Sequence, residues 1–534
     1  MAGLKHVWRP LGGFDRAMRQ WFAESRSDSR FNFGAPVLTV IGDRGINAET
    51  AALSDADVPS SIGFCVRDLD QRYTVGFSVT LFGGQTDAFD SYEACLRIDC
   101  RPLPYYEAVG SVYPWWRELG YHIPDPPAAA SDPLYSSWYN FHQAPDGERL
   151  IEELTIASEL GFRTVILDDG WQFPGPSCGD YSMCGEWTVS PDKFADFKAF
   201  CDSVHSLGMK LAVWFAVPFV GVKSPLFGKF EGKYLSVDHG LFNAGVLDIR
   251  RPEVREYIIG NYRRFVEDYG VDGFKFDFID AFAETPDSPP YSPGEMDCAA
   301  VGDAVKKLLT EIDTELGRIK PGLMYEYRQC YIGPGINRFG NMLRVGDCAY
   351  EPLTNRVGIC DLRLLGYPVA VHSDMLYWSP AETPLLCAGQ LMNIMFAVPQ
   401  ISVLLTENTP EQKKLLKDYI SYWTENKSLL LGGSFRPLRP ESNYPAIVAD
   451  GGGRQIAVLH GERLFTYEKP CDVHLDSDED GLIIENPTGY TLKASLYTSF
   501  GGSFAGETDI PARGTARLPL PRMGMARIGP RADD

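Results

Sequence analysis

Histidine is scarce in this chain, eight among 534 residues, and the eight show no metal-ligand spacing. The twelve cysteines are scattered and form no C-x-x-C pair. No apolar run approaches the roughly eighteen residues of a membrane-spanning helix, and Met1 to Pro10 lack the continuous apolar stretch of a secretory signal. Positive charge is outnumbered: 50 Lys and Arg against 71 Asp and Glu leave a formal net charge of −21. That balance excludes nucleic acid as a partner and favours a soluble protein acting on a neutral substrate. Cys178 and Cys184 share one loop and could bridge, but without an export signal the expectation is free thiols in the cytoplasm.

What is present is a long, well-packed chain. At 534 residues, 44% hydrophobic and 12% aromatic, it exceeds one ordinary core and has Tyr and Trp to spare for a cleft. The first ~125 residues read as short β-prone runs, such as Val37–Ile41 and Tyr73–Leu81, broken by Gly, Asp and Ser. A Pro/Ala/Asp segment from Pro124 to Pro133 marks a boundary. Strands then alternate with amphipathic helices. Strands are expected at Leu134–Phe141, Thr164–Asp168, Lys210–Val217, Val271–Asp277, Leu323–Tyr327, Met342–Val345, Val369–His372 and Val398–Leu405. Eight strands with intervening helices predict a (β/α)8 barrel, with a doubly wound sheet as the alternative; no Gly-rich phosphate loop opens these helices. After a closing helix at Pro410–Asn426, short strands return. The expected division is an N-terminal β-rich domain over 1–125, a barrel over 134–430 and a small antiparallel β-domain over 435–534.

A barrel of this kind builds its site from the C-terminal ends of its strands. Read in order, those ends carry Trp138 and His142; Asp168, Asp169 and Trp171; Trp214; Lys275 and Asp277; Glu326 and Arg328; Arg344 and Asp347; His372 and Asp374. Carboxylates accept bonds from sugar hydroxyls, and indole faces pack on sugar C–H faces, so the set suits a neutral polyol. Two carboxylates on two strands, Asp277 with Lys275 two residues before it and Asp347, are what a retaining glycosidase needs. Lys275 is expected to hold Asp277 ionised, and the surroundings of Asp347 to raise its pKa. Asp476-Ser477-Asp478-Glu479-Asp480-Gly481 imitates an EF-hand start, but Pro487 stands at position twelve, so the segment reads as an acidic turn.

Leu167-Asp168-Asp169-Gly170-Trp171, Val213-Trp214, Phe274-Lys275-Phe276-Asp277 and Arg344-Val345-Gly346-Asp347 resemble, in order and spacing, the α-galactosidase (melibiase) clan of retaining glycoside hydrolases. The resemblance is strongest to family 36, with family 27 more distant. It implies Asp277 as nucleophile and Asp347 as general acid/base, with no metal or organic cofactor. It also implies sugar contacts from Asp168, Asp169, Trp171, Trp214, Lys275, Glu326, Arg328, Arg344, His372 and Trp138. Asp168 and Asp169 would take the C4 and C6 hydroxyls of galactose. The implied partner is a small carbohydrate, and a homo-oligomer stays open. An α-N-acetylgalactosaminidase, another α-glycosidase of the clan, a transglycosylase of raffinose-synthase type and a non-catalytic sugar-binding barrel are the alternatives. The loop after strand five, Glu326-Tyr327-Arg328-Gln329-Cys330, departs from the Cys-x-x-Gly-Gly-Gly-Arg pattern of many members.

Overall fold

A computed structural model describes residues 4–11, 24–69, 72–83, 90–172, 180–328, 330–479, 481–500 and 502–531. At its centre eight parallel strands form a barrel: Leu134–Ser136, Thr164–Leu167, Lys210–Ala216, Gly273–Asp277, Met324–Arg328, Met342–Arg344, Ala370–His372 and Gln400–Ile401. The last strand pairs with the first, and Val398 N–H donates to Val371 O at 2.8 Å, closing the ring beside strand seven.

Alternation along strand four shows how this sequence aims its chemistry. Phe274 and Phe276 stack on one another, 5.5 Å between centres, and both pack on Tyr262 of the helix Pro252–Arg264. Successive strand residues face opposite ways, so Lys275 and Asp277 turn to the barrel interior. The helix Gly147–Leu160 starts on an Asp146 side-chain cap and stops at left-handed Gly161. Thr409 and Gln412 form a capping box that opens the long helix Pro410–Gly432.

Several expected elements change. Strand one ends at Ser136, and Trp138–Phe141 is a helical turn, because Ser402 Oγ caps the turn by accepting from Tyr139 N–H at 2.9 Å. The expected strand at Val398–Leu405 shrinks to Gln400–Ile401. Among the described residues, strands five and six are joined by a 3₁₀ turn at Ile336–Arg338 rather than by an α-helix. A three-stranded antiparallel sheet, Phe219–Gly221, Tyr234–Asp238 and Ala244–Leu247, is inserted after strand three and escaped the sequence reading. The segment read as a boundary linker is packed, with Ala130 wholly buried in a 3₁₀ turn at Ala128–Ser131.

Two four-stranded antiparallel sheets precede the barrel, followed by two short helices, Tyr105–Gly110 and Val112–Glu118, that were not expected. Seven-stranded and three-stranded sheets follow it, mostly antiparallel, with their own apolar core. Among the described residues no helix is long and apolar enough to cross a membrane.

The N-terminal sheet reaches the barrel mouth directly. Asn32, buried beside the hairpin Ser25–Arg30 and Phe33–Gly34, donates from Nδ2 to Ile279 O at 2.7 Å and Phe282 O at 3.0 Å. Arg30 donates to Asn32 Oδ1 at 3.1 Å and to Asp280 O at 3.0 Å. The loop that follows Asp277 is therefore held by residues about 250 positions away in sequence. Asn32→Ala removes both Nδ2 bonds; Ile279 O keeps Phe282 N–H as a donor, but Phe282 O loses the one Asn32 supplies, which costs about 1–3 kcal/mol. We expect a thermal midpoint lower than that of a solvent-exposed control such as Lys414→Ala; equal midpoints in the two variants would refute the link.

Candidate active site

The turn after strand two carries two carboxylates in different directions. Gly170 has a φ of +104°, and a Cβ there would stand 2.3 Å from Gln143 Cα, so only glycine fits. Asp168 faces Lys275, whose Nζ lies 2.7 Å from its Oδ2, and Asp168 N–H donates to Ser137 Oγ at 2.9 Å. Asp169 turns the other way, accepting from Gln143 Nε2 at 2.5 Å and Gln172 Nε2 at 3.0 Å. Burial pushes its carboxyl up to about 7 despite these two donors, with Asp168 and Asp277 adding repulsion. Lys193 donates to Gln143 O and Gly170 O, pinning the turn; burial lowers its ammonium to about 8. Gln143 and Lys193 carry no motif and were invisible in the sequence.

Asp277 ends strand four almost buried, 9% exposed. Its Oδ1 accepts from Phe278 N–H at 2.8 Å and its Oδ2 from Trp214 Nε1 at 3.1 Å. The ammonium of Lys275, expected beside Asp277, bonds Asp168 instead, because that carboxylate comes forward from strand two. The cation against Asp277 is Arg328, with Nε 3.2 Å from Oδ1.

Arg344 is buried at the end of strand six and serves three carboxylates. Its guanidinium lies 2.5 Å from Asp374, 2.9 Å from Asp347 and 3.3 Å from Glu326. Tyr139 Oη and Cys348 N–H complete Asp374 at 2.9 and 2.7 Å. Burial would raise Asp347, but Arg344, Lys275 and Arg328 outweigh it and hold the carboxyl below its ordinary range. This reverses the raised pKa expected for Asp347. The side chain is 55% exposed, so water also favours its charged form.

Most of the expected sugar contacts are buried, and several spend their polar atoms on other protein groups. Trp171 is 0% exposed, with its indole N–H donating to Trp214 O at 2.9 Å and its rings against Phe215 and Phe265. It supports strand three from behind. His372 is buried too: Nε2 donates to Ala130 O at 2.6 Å, and Nδ1 accepts from Gln400 Nε2 at 3.1 Å. Burial lowers it to about 4, so the ring is neutral. Glu326 is buried and accepts from Gln400 Nε2 at 2.6 Å. Trp214, expected as an open wall, is buried under Tyr181, with centres 6.1 Å apart, and spends its N–H on Asp277. Trp138 and Arg328 stay partly exposed, Trp138 with its ring edge-on to His142 at 5.4 Å. Cys178 and Gln329 lie outside the described residues.

Against known families, residues 133–340 match the melibiase family model. The matched segment is similar to a melibiase domain. It contains Asp277, and Asp347 lies just beyond its matched end. The chain is 28% identical over 363 residues to the α-galactosidase Mel36A of Lactobacillus acidophilus, covering 63% of this chain and 47% of that protein. It is 25% identical over 359 residues to the α-galactosidase AgaA of Geobacillus stearothermophilus, covering 61% and 46%. The chain thus spans about half the length of these curated relatives. In fold, the barrel and its flanking sheets match an AgaA variant from family 36, solved with 1-deoxygalactonojirimycin. The TM-score is 0.65 at 16% identity, over 97% of this chain and 72% of that one. AgaB from the same organism matches at 0.65 and 15%, over 99% and 75%.

The charges at the strand ends lead to two predictions. Asp169 keeps in the folded state a proton that the unfolded chain loses near pH 4, so stability falls as pH rises from about 4 to about 7. Asp169→Asn abolishes that slope; relative to the variant, the parent chain should weaken by up to about 4 kcal/mol across the window in urea titrations. Parallel pH curves would refute it. Arg344→Met strands Glu326, Asp374 and Asp347 and should cost about 3–5 kcal/mol at neutral pH, with part regained in acid, measured as denaturation midpoints.

Proposed function

We propose that the chain is a retaining exo-acting glycoside hydrolase that releases terminal α-linked galactose. The observation that carries this reading is the pairing of Asp277, ending strand four inside the matched segment, with Asp347, following strand six. Both carboxylates feel the same two cations, Lys275 and Arg328. The names of the relatives support galactose: AgaA structures have been solved with 1-deoxygalactonojirimycin and with raffinose.

In this mechanism Asp277 attacks the anomeric carbon while Asp347 gives its proton to the departing oxygen. Asp347 then takes a proton from water, which displaces Asp277 and leaves the product with retained configuration. Trp214 N–H and Phe278 N–H hold the two oxygens of Asp277 in place, which preorganises the attack. Asp347 must be protonated in the first step although Arg344 favours its charged form. A bound sugar supplies the correction by displacing the water around this exposed carboxyl. Residues 1–125, 134–430 and 435–534 form the three domains of the proposed enzyme, and its place is the cytoplasm, where thiols such as exposed Cys95 and Cys100 stay reduced.

The test is a set of initial rates on p-nitrophenyl α-galactoside, α-N-acetylgalactosaminide, α-glucoside and β-L-arabinopyranoside, with Asp277→Ala alongside. The expected result is preferred cleavage of the galactoside, reduced more than about a thousandfold by the substitution. Preference for the acetamido sugar or the glucoside would overturn the choice of galactose, and persistent turnover in Asp277→Ala would overturn the nucleophile.

A further inference from the structure

Arg328 ends strand five with its guanidinium beside the proposed nucleophile, yet the contact is not a directed hydrogen bond. Nε lies 3.2 Å from Asp277 Oδ1, but the N–H does not point along that line. The directed bonds to Asp277 come from Phe278 N–H and Trp214 Nε1. Those two donors set the orientation of the carboxylate, and Arg328 adds charge. The guanidinium carbon lies 5.0 Å from the centre of the Phe278 ring, and Nη2 lies 3.6 Å from Asp280 Oδ1. Asp280 is itself held by Tyr331 Oη at 3.0 Å. The side chain is 24% exposed, little enough for its charge to act through a medium less screened than water. Lys275 bonds Asp168 and acts on Asp277 without a direct contact, so the cation in contact with Asp277 is Arg328.

We propose that Arg328 is a catalytic residue of the second half-reaction, a cation that makes Asp277 a better leaving group. The proposal rests on the retaining mechanism above. In the first step a bond forms from an Asp277 oxygen to the anomeric carbon as the bond to the aglycone oxygen breaks, and Asp347 supplies the proton. In the second, water attacks that carbon, Asp347 removes its proton, and the electron pair of the breaking bond returns to Asp277. A neighbouring cation stabilises the free carboxylate, which restrains the first step, and stabilises the charge that reappears on Asp277, which speeds the second. Removing the cation therefore slows deglycosylation and does not slow glycosylation.

The test compares the full chain with Arg328→Gln and Arg328→Lys on p-nitrophenyl α-galactoside. For Arg328→Gln, kcat should fall at least about tenfold and KM at least in parallel, so that kcat/KM falls by no more than about threefold. Rapid mixing should show a p-nitrophenol burst close to one per enzyme, and mass spectrometry a galactosyl group on the peptide carrying Asp277. Arg328→Lys, which keeps the charge, should recover part of kcat and shrink the burst. Equal losses of kcat and kcat/KM without a burst would mean a structural or substrate-binding role and overturn the proposal. If Arg328→Gln does not fold, Arg328→Lys is judged alone: a fall in kcat with kcat/KM kept supports the role, and equal falls overturn it. No p-nitrophenol from the unaltered chain would sink the proposed function, and the role of Arg328 with it.

Discussion

The mouth of this barrel depends on one buried cation. Arg344 places a single guanidinium among Glu326, Asp347 and Asp374, and two of those carboxylates are wholly buried. Burying charge is costly unless it is paired, so acidic groups on strands five, six and seven can stand together only because Arg344 sits between them. Each carboxyl responds differently. Burial wins at Glu326 and Asp374, which are raised, whereas Asp347 reaches into solvent and is lowered.

A second constraint acts from outside the barrel. Asn32 and Arg30 bind backbone carbonyls of the loop at 279–282, and Gly34 N–H donates to Cys330 O at 2.9 Å. The two segments so held follow strands four and five, the strands that present Asp277 and Arg328. The N-terminal sheet therefore does more than cover hydrophobic surface. It fixes the relative placement of a carboxylate and its cation, a distance to which electrostatic catalysis is sensitive.

Much of this was legible beforehand, for identifiable reasons. Phe-Lys-Phe-Asp states its own geometry: alternate aromatics need a helix to pack on, and alternate charges must then face the barrel. Asp-Asp-Gly-Trp likewise marked the end of strand two, though only the structure shows Gly170 left-handed at φ +104°. Legibility ended where a side chain's partner comes from another strand. Lys275 was assigned to the carboxylate two residues away, but the ammonium reaches across to strand two. Trp171 and His372 were read as pocket residues because they stand at strand ends. Whether such a residue lines the mouth or packs behind it depends on neighbours such as Phe265 and Ala130. Gln143 and Lys193 had no signal at all, since amide and lysine residues in loops are ordinarily solvated.

The sequence by itself determined which residues stand at the ends of which strands, since period-two patterning and turn residues are local properties. From that came the barrel, the two carboxylates and the expectation of a neutral polyol substrate. Only the tertiary structure decided which cation serves which carboxylate, which tryptophans touch solvent, and in which direction Asp347 is shifted. Those outcomes depend on distances of 3 to 4 Å between residues far apart in the chain, and on how much water reaches each charge. No local pattern encodes either.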